Sequence, residues 1–277
     1  METDFQTVEQ ARLKILSLLK PITGTRTVAI REALDQVLAA DLLSPINVPA
    51  HDNSAMDGYA FNSSNIQNSD ITHLTMIGTA YAGKAFTGTC GNGECVRIMT
   101  GAVMPLNCDT VLVQENATVS GDQISFPPGA VKAGDNRRLA GEDLTIGKPA
   151  LPAGKVLRPA DLGLLASLGV AEISVRRKLR VAFFSTGDEL RSLGQPLDEG
   201  CVYDSNRYTL YGMLTRLRFI ELLDMGVVHD SPEALEHAML QAMEQADVII
   251  TSGGVSVGEA DYTKQVMEKL GSVNFWK

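Results

Sequence analysis

Apolar residues recur at helical spacing near the start of the chain. Val8, Ala11, Ile15, Leu18 and Leu19 fall on one face, Thr7 and Gln10 have the spacing of a capping box, and Pro21 forces an end. Residues 7–20 are therefore expected to form an amphipathic helix. A second helix is expected over Ile30–Leu43, burying Ala33, Leu34, Val37 and Leu38, before Pro45 and Pro49 bracket an extended exit. The pattern then changes. Between residues 46 and 146, Gly, Asn, Ser and Thr are frequent and the apolar runs are short: Cys95–Met99, Thr110–Val113 and Gln123–Phe126. Short runs separated by turn residues predict a small β-rich domain. Helical character returns over Gly154–Gly169, with Pro159 near N1 and Gly169 placed as C′.

From Arg180 onward strands and helices alternate. Val181–Phe184 is a continuous apolar run, suited to a strand buried on both faces. A helix over Asn206–Leu217, capped by Asp204 or Ser205, precedes a strand at Ile220–Leu223. Ser231 as cap and Pro232 at N1 open another helix, which turns Leu235, Ala238, Met239 and Ala242 inward. Val248–Thr251 reads as a buried strand, Asp261–Leu270 as a helix, and Val273–Trp276 as the start of a further strand. Alternation of this kind predicts a doubly wound, mostly parallel sheet. The expected fold is multi-domain α/β: an N-terminal helical segment (1–45), a β-rich domain (46–146), a connecting helix and strand (147–178), and the α/β domain (179–277). Because the chain stops inside a predicted strand, it reads as the front part of a longer protein.

Composition narrows the classes of function. The 277 residues carry 33 acidic and 24 basic side chains, for a net charge of −9. Nucleic-acid binding is not expected, because neutralising phosphates needs a basic face. The acidic, polar N-terminus is not expected to act as a signal peptide, and no apolar run approaches the roughly 20 residues of a membrane span. Cys90, Cys95, Cys108 and Cys201 form no C-x-x-C pair and the four histidines complete no zinc spacing. Free thiols suit a reducing cytoplasm.

In a doubly wound sheet, ligands bind beyond the carboxyl ends of the strands. Two such ends carry unusual loops, Ser185–Glu189 and Thr251–Gly258. Glycine lets backbone approach an anion, and hydroxyls with N–H groups can hold a phosphate. Neither loop has the lysine of a Walker motif or the G-x-G-x-x-G pattern. Carboxylates gather at the same ends: Glu189, Asp230, Glu259 and Asp261. Two such charges about 4 Å apart cost on the order of 4 kcal/mol at an effective dielectric of 20. Convergence of Glu189, Asp230 and Asp261 would thus call for a cation, and Mg²⁺ suits carboxylates plus phosphate oxygens. In the β-rich part, Asp52–Tyr59 is dense in small and polar residues around Asp57. Asn136–Asp143 sets Arg137 and Arg138 beside Glu142 and Asp143; this is either a phosphate fork or a surface ion-pair cluster.

The segments NSAMDGYA (Asn53–Ala60), RIMTGA (Arg97–Ala102), GED (Gly141–Asp143), FSTGDEL (Phe184–Leu190) and SGGVSVGEADYTK (Ser252–Lys264) together resemble the molybdopterin molybdenumtransferase family, of the MoeA and gephyrin E-domain type. The resemblance implies molybdenum cofactor biosynthesis. The substrates would be adenylylated molybdopterin and molybdate, Mg²⁺ the cation, and AMP a product. It further implies a homodimer whose cleft lies between the sheet domain of one subunit and the β-rich domain of the other. Possible partners are a molybdopterin adenylyltransferase and the proteins that mature molybdoenzymes. The catalytic acids it implies are Asp57, Asp143, Glu189, Asp230 and Asp261, the last three also as metal ligands. Thr100, Ser252, Gly253, Gly254 and Ser256 are implied in substrate binding. Family members continue past this chain's end into loops associated with molybdate. A non-catalytic, molybdopterin-binding or scaffold fragment is therefore the alternative expectation.

Overall fold

A computed structural model describes residues 6–253 and 262–273. The chain folds into two compact units, Asp41–Pro152 and a second formed by Met1–Ala40 with Ala153–Lys277.

The first unit is built on a six-stranded sheet in the order Thr110–Val113, Gly58–Phe61, Glu94–Ile98, Thr72–Ala80, Gln123–Phe126, Thr118–Ser120. Only the pairing of Thr72–Ala80 with Glu94–Ile98 is parallel. Alternate side chains along each strand enter two cores. Tyr59, Phe61, Cys95, Leu112 and Phe126 pack on one face, and Ala60, Val96, Ile98 and Val111 on the other. Burial on both faces explains why these strands read as unbroken apolar runs. Gly58 fixes the middle of the sheet: a Cβ there would lie 2.0 Å from the Leu112 carbonyl oxygen. Close approach of two strands thus requires glycine immediately after Asp57.

In the second unit, Leu179–Thr186 is the central strand. Ile220–Val228 and Val248–Ser252 flank it, both parallel to it. Helices Ser205–Thr215, Pro232–Gln245 and Tyr262–Leu270 accompany the sheet. Phe184, Leu235, Met239 and Val266 form its core. The caps follow the sequence expectation: Asp204 receives the Arg207 N–H and Ser231 the Ala234 N–H, with Pro232 in the first turn. The strand starting at Ile220 is longer than expected because it passes through an irregularity opposite Phe183–Ser185 and continues to Val228. The strand expected at Val273–Trp276 lies largely outside the described residues.

The remaining part of this unit pairs Thr25–Ala29 antiparallel with Glu172–Arg176 and packs the helix Pro159–Ser167 nearby, with Gly169 left-handed just past its end. Two expectations are corrected here. No helix spans Ile30–Leu43. A single 3-10 turn, Ile30–Glu32, gives way at Asp35, whose φ of +61° is incompatible with helix. The backbone of Asp35 and Leu38 bonds to Leu157 and Lys155, and that of Ala39 to Ser174. Tertiary pairing has overridden local propensity. The N-terminal helix does form, over Val8–Leu18 with its capping box, but Val8, Ile15 and Leu18 are exposed. Its apolar stripe finds no cover among the described residues. No described helix is long and apolar enough to cross a membrane.

Asp247 clamps the start of the strand Val248–Ser252. Its carboxylate accepts from both Arg177 amino groups, at 2.6 and 2.9 Å, and from the Arg180 backbone at 2.9 Å. Hydrogen bonds from Arg177, then Arg180, hold its carboxyl well below the usual carboxylate range. A depressed folded-state pKa adds stability above the unfolded value, and that stability is lost as pH falls through the folded one. Asp247→Asn is therefore expected to lower the melting temperature at neutral pH and to flatten its decline between about pH 5 and about pH 2. Parallel melting curves for variant and parent would contradict the assignment.

Candidate functional site

The carboxyl ends of the three parallel strands converge through their loops. Past Thr186 the chain turns through Gly187, Asp188 and Glu189. A Cβ on Gly187 would meet the Glu189 carboxylate at 2.6 Å, so Glu189 folds back over its own turn. Leu190–Arg191 then runs parallel to Val202–Tyr203. Bonds from Val202 N to Glu189 O (2.9 Å) and from Asp204 N to Arg191 O (3.1 Å) return the chain to the strand end. This excursion delivers Asp204 and the first turn of the helix Ser205–Thr215 beside the loop. The third strand arrives at the same place: Ser185 is in register with Ser252. Gly253 has φ +104°, and a Cβ on it would stand 2.3 Å from the Thr186 carbonyl oxygen. Only glycine allows that approach.

A cavity of about 260 Å³ results, lined by Thr186, Glu189, Asp204, Ser205, Ser252 and Gly253 among others. Its polar lining is under-satisfied. Among the described residues, Thr186 Oγ1 and Asp204 Oδ2 are buried without a hydrogen-bond partner, as are Ser185 Oγ and Thr251 Oγ1 next to it. Buried polar groups normally have partners, so unmatched ones at a strand end mark a place for a polar ligand.

Asp230 follows the neighbouring strand. Its N–H donates to Asp188 Oδ1 at 3.2 Å, and His229 Nδ1 lies 3.5 Å from the same oxygen. Asp188 and His229 border a second, larger cavity of about 690 Å³ that includes Arg191 and Val227. The structure thus brings Glu189, Ser252 and Gly253 into one cavity, whereas the backbone of Asp230 is tied to Asp188, which borders the other. Asp261, Gly254 and Ser256 lie outside the described residues. Among the described residues no three His, Cys, Asp or Glu side chains are gathered as a metal site. The donors that do line the cavity are carboxylate and hydroxyl oxygens, a set that suits a hard cation such as Mg²⁺ rather than a soft metal.

The candidate residues of the β-rich unit form their own cluster. Asn53–Ser54 is paired on one side with Arg137–Arg138 and on the other with Val103. Three segments of the sequence motifs therefore adjoin. Thr100 donates to Asp57 Oδ1 twice, from its N–H and its hydroxyl, each at 2.7 Å. Asp57 Oδ2 takes no hydrogen bond from the described residues. The Thr100 N–H first, then its hydroxyl, and more weakly the Arg97 guanidinium, hold the Asp57 carboxyl below its ordinary value. Arg97 itself lies over the Tyr59 ring, 4.8 Å from its centre, and donates to Gln114. Asp143 is bonded to Arg138, whose Nε also donates to Glu142 at 2.6 Å. Arg138 thus stands in an ion-pair cluster with Glu142 and Asp143.

Sequence reasoning missed Asp204 and Thr186 as site residues. Asp204 was visible only as a helix cap, and a cap needs one oxygen, not two. Asp188 was also passed over, although it follows the glycine of the first strand-end loop.

Two sequence patterns cover most of the chain. One, described as the MoeA N-terminal region (domain I and II), matches residues 6–169. The other, a probable molybdopterin binding domain, matches residues 182–276. A protein of Haemophilus influenzae named molybdopterin molybdenumtransferase is 46% identical over 98% of this chain. Another of that name from Nostoc is 38% identical over 90%. The chain spans 66% and 57% of the lengths of these two relatives. A crystal structure of a molybdopterin biosynthesis MoeA protein from Pyrococcus horikoshii superposes with a TM-score of 0.77 at 31% identity, covering 97% of this chain and 67% of that one. A second structure of the MoeA protein, from P. horikoshii OT3, gives 0.79 at 28% identity, covering 90% and 67%.

Thr100→Val removes the hydroxyl donor from Asp57 and leaves the larger N–H contribution. The Asp57 carboxyl should then titrate higher than in the parent, though still below an ordinary aspartate. Carboxyl ¹³C shifts followed through an acid titration read this directly; an unmoved midpoint would contradict the pairing.

Proposed function

The chain belongs to the MoeA family of molybdopterin molybdenumtransferases, and on that footing we propose that its strand-end cavity binds adenylylated molybdopterin for the insertion of molybdenum from molybdate, with release of AMP. The supporting observation is the cavity itself: Glu189 stands beside Ser252 and Gly253, with buried polar atoms unmatched around them.

Each residue has a physical task in this reading. The Ser252 hydroxyl and the backbone at Gly253, continued by Gly254 and Ser256, hold the phosphate; a glycine-rich strand end suits this because no Cβ blocks the anion. Glu189, Asp230 and Asp261 would hold Mg²⁺. That ion, when bound, neutralises charge developing on the diphosphate as the adenylyl group leaves. Without a cation, carboxylates beside a diphosphate would repel it. Thr100 fixes the orientation of the Asp57 carboxylate and leaves its second oxygen to act as a hydrogen-bond acceptor or as an electrostatic partner for a cation. Arg138 fixes the direction of Asp143.

The reading extends to assembly and setting. The protein works as a homodimer, in which Asp57 and Asp143 serve the cleft of the second subunit. A molybdopterin adenylyltransferase supplies the substrate, and proteins that mature molybdoenzymes take the product. The reaction runs in the cytoplasm, where the free thiols stay reduced.

Glu189→Gln keeps the shape of the side chain and removes its charge. In the intact protein supplied with Mg²⁺, it should slow AMP release from adenylylated molybdopterin by about 10²-fold, the usual effect of losing one preorganised electrostatic group. The melting temperature should not change, because Glu189 is solvent-exposed. AMP release at the parental rate would remove Glu189 from the mechanism.

A further inference from the structure

Asp204 has more acceptor capacity than its structural role uses. It is 2% exposed, and as the cap of Ser205–Thr215 its Oδ1 accepts the Arg207 N–H at 3.1 Å. Asparagine or serine would cap that helix as well. Oδ2 has no partner among the described residues, although it is buried. The nearby Arg207 turns its Nε to Asp224 at 2.7 Å. A buried carboxylate oxygen without a donor is costly to keep, so a donor arriving with a ligand would relieve it. Asp204 lines the same cavity as Glu189, Ser252 and Gly253, and so does Thr186, whose buried hydroxyl is also unmatched.

The charges of the lining orient what enters. Glu189 and Asp204 are both carboxylates, so their part of the cavity disfavours a bare phosphate and favours hydrogen-bond donors. Ser252 and Gly253 offer a hydroxyl and glycine backbone, which suit the phosphate. In an adenylylated ligand the neutral, donor-bearing group next to the phosphate is the ribose diol. Carboxylates at strand ends of doubly wound sheets are known to accept from ribose hydroxyls. We infer that Asp204 is a specificity-determining residue that recognises the ribose of the adenylyl group, its free Oδ2 accepting a 2′- or 3′-hydroxyl while the phosphate lies at Ser252–Gly253. This rests on the cavity being the nucleotide site.

The test is a binding cycle measured by calorimetry with Mg²⁺ present. AMP and 2′,3′-dideoxyadenosine monophosphate are titrated into the parent chain and into Asp204→Asn, which retains the helix cap. The parent should bind AMP about ten- to hundredfold more tightly than the dideoxy compound, as expected for a hydrogen bond to a charged group. In Asp204→Asn that preference should collapse, with AMP weakened and the dideoxy compound little changed. Equal weakening of both ligands, or an undiminished preference, overturns the inference. If Asp204→Asn fails to fold, the parent alone decides: equal affinity for the two compounds overturns it. A parent chain that binds neither nucleotide overturns the nucleotide site as well. AMP binding that depends on Glu189 but not on Asp204 overturns this inference alone.

Discussion

The approach of Gly253 to the Thr186 carbonyl is the constraint on which the strand-end site depends. Parallel pairing brings Ser185 level with Ser252, and the next residue of each strand must then pass the other at a distance no side chain tolerates. Glycine at 253 lets the two loops meet. Their meeting makes Ser252 and Glu189 neighbours around one cavity, although 63 positions, 252 less 189, separate them in the chain. The polar atoms left unmatched there are a consequence of the same geometry. A strand end stops its backbone ladder, and the hydroxyls of Ser185, Thr186 and Thr251 meet no donor or acceptor among the described residues. In a site without a ligand role, such groups would be a standing cost.

The β-rich unit solves a different problem with the same residue. Gly58 allows the strand after Asp57 to sit against Leu112, and the turn before that strand holds Asp57 where two Thr100 donors meet one oxygen. Concentrating both donors on Oδ1 fixes the carboxylate and leaves Oδ2 without a hydrogen bond from the described residues. In both units an acid is thus fixed by backbone geometry and left with one oxygen unused.

How much of this was readable in the sequence depended on whether local signals and tertiary pairing agreed. Proline, serine and aspartate at helix starts carried their own physics, so the helices at 159, 205 and 232 appear at their capping residues. The segment after Ile30 misled because its apolar spacing fits a helix, whereas its backbone groups are claimed by residues 155–157 and 174, which nothing local announces. The motif around Asp57 was legible as a dense polar segment, but its pairing with Thr100, 43 residues away, became visible only through the fold. Asp204 was hidden for the opposite reason: its local role as a cap explained it fully, until the burial of its second oxygen showed that the cap leaves half the carboxylate unaccounted for.

The central claim is that the strand-end cavity is where a nucleotide phosphate is held. The most direct measurement is a crystal structure of the chain grown with AMP and Mg²⁺. The account predicts the phosphate against Ser252 and Gly253, with Glu189 bordering the same cavity. Nucleotide bound elsewhere, with Thr186, Glu189 and Ser252 untouched, would contradict it.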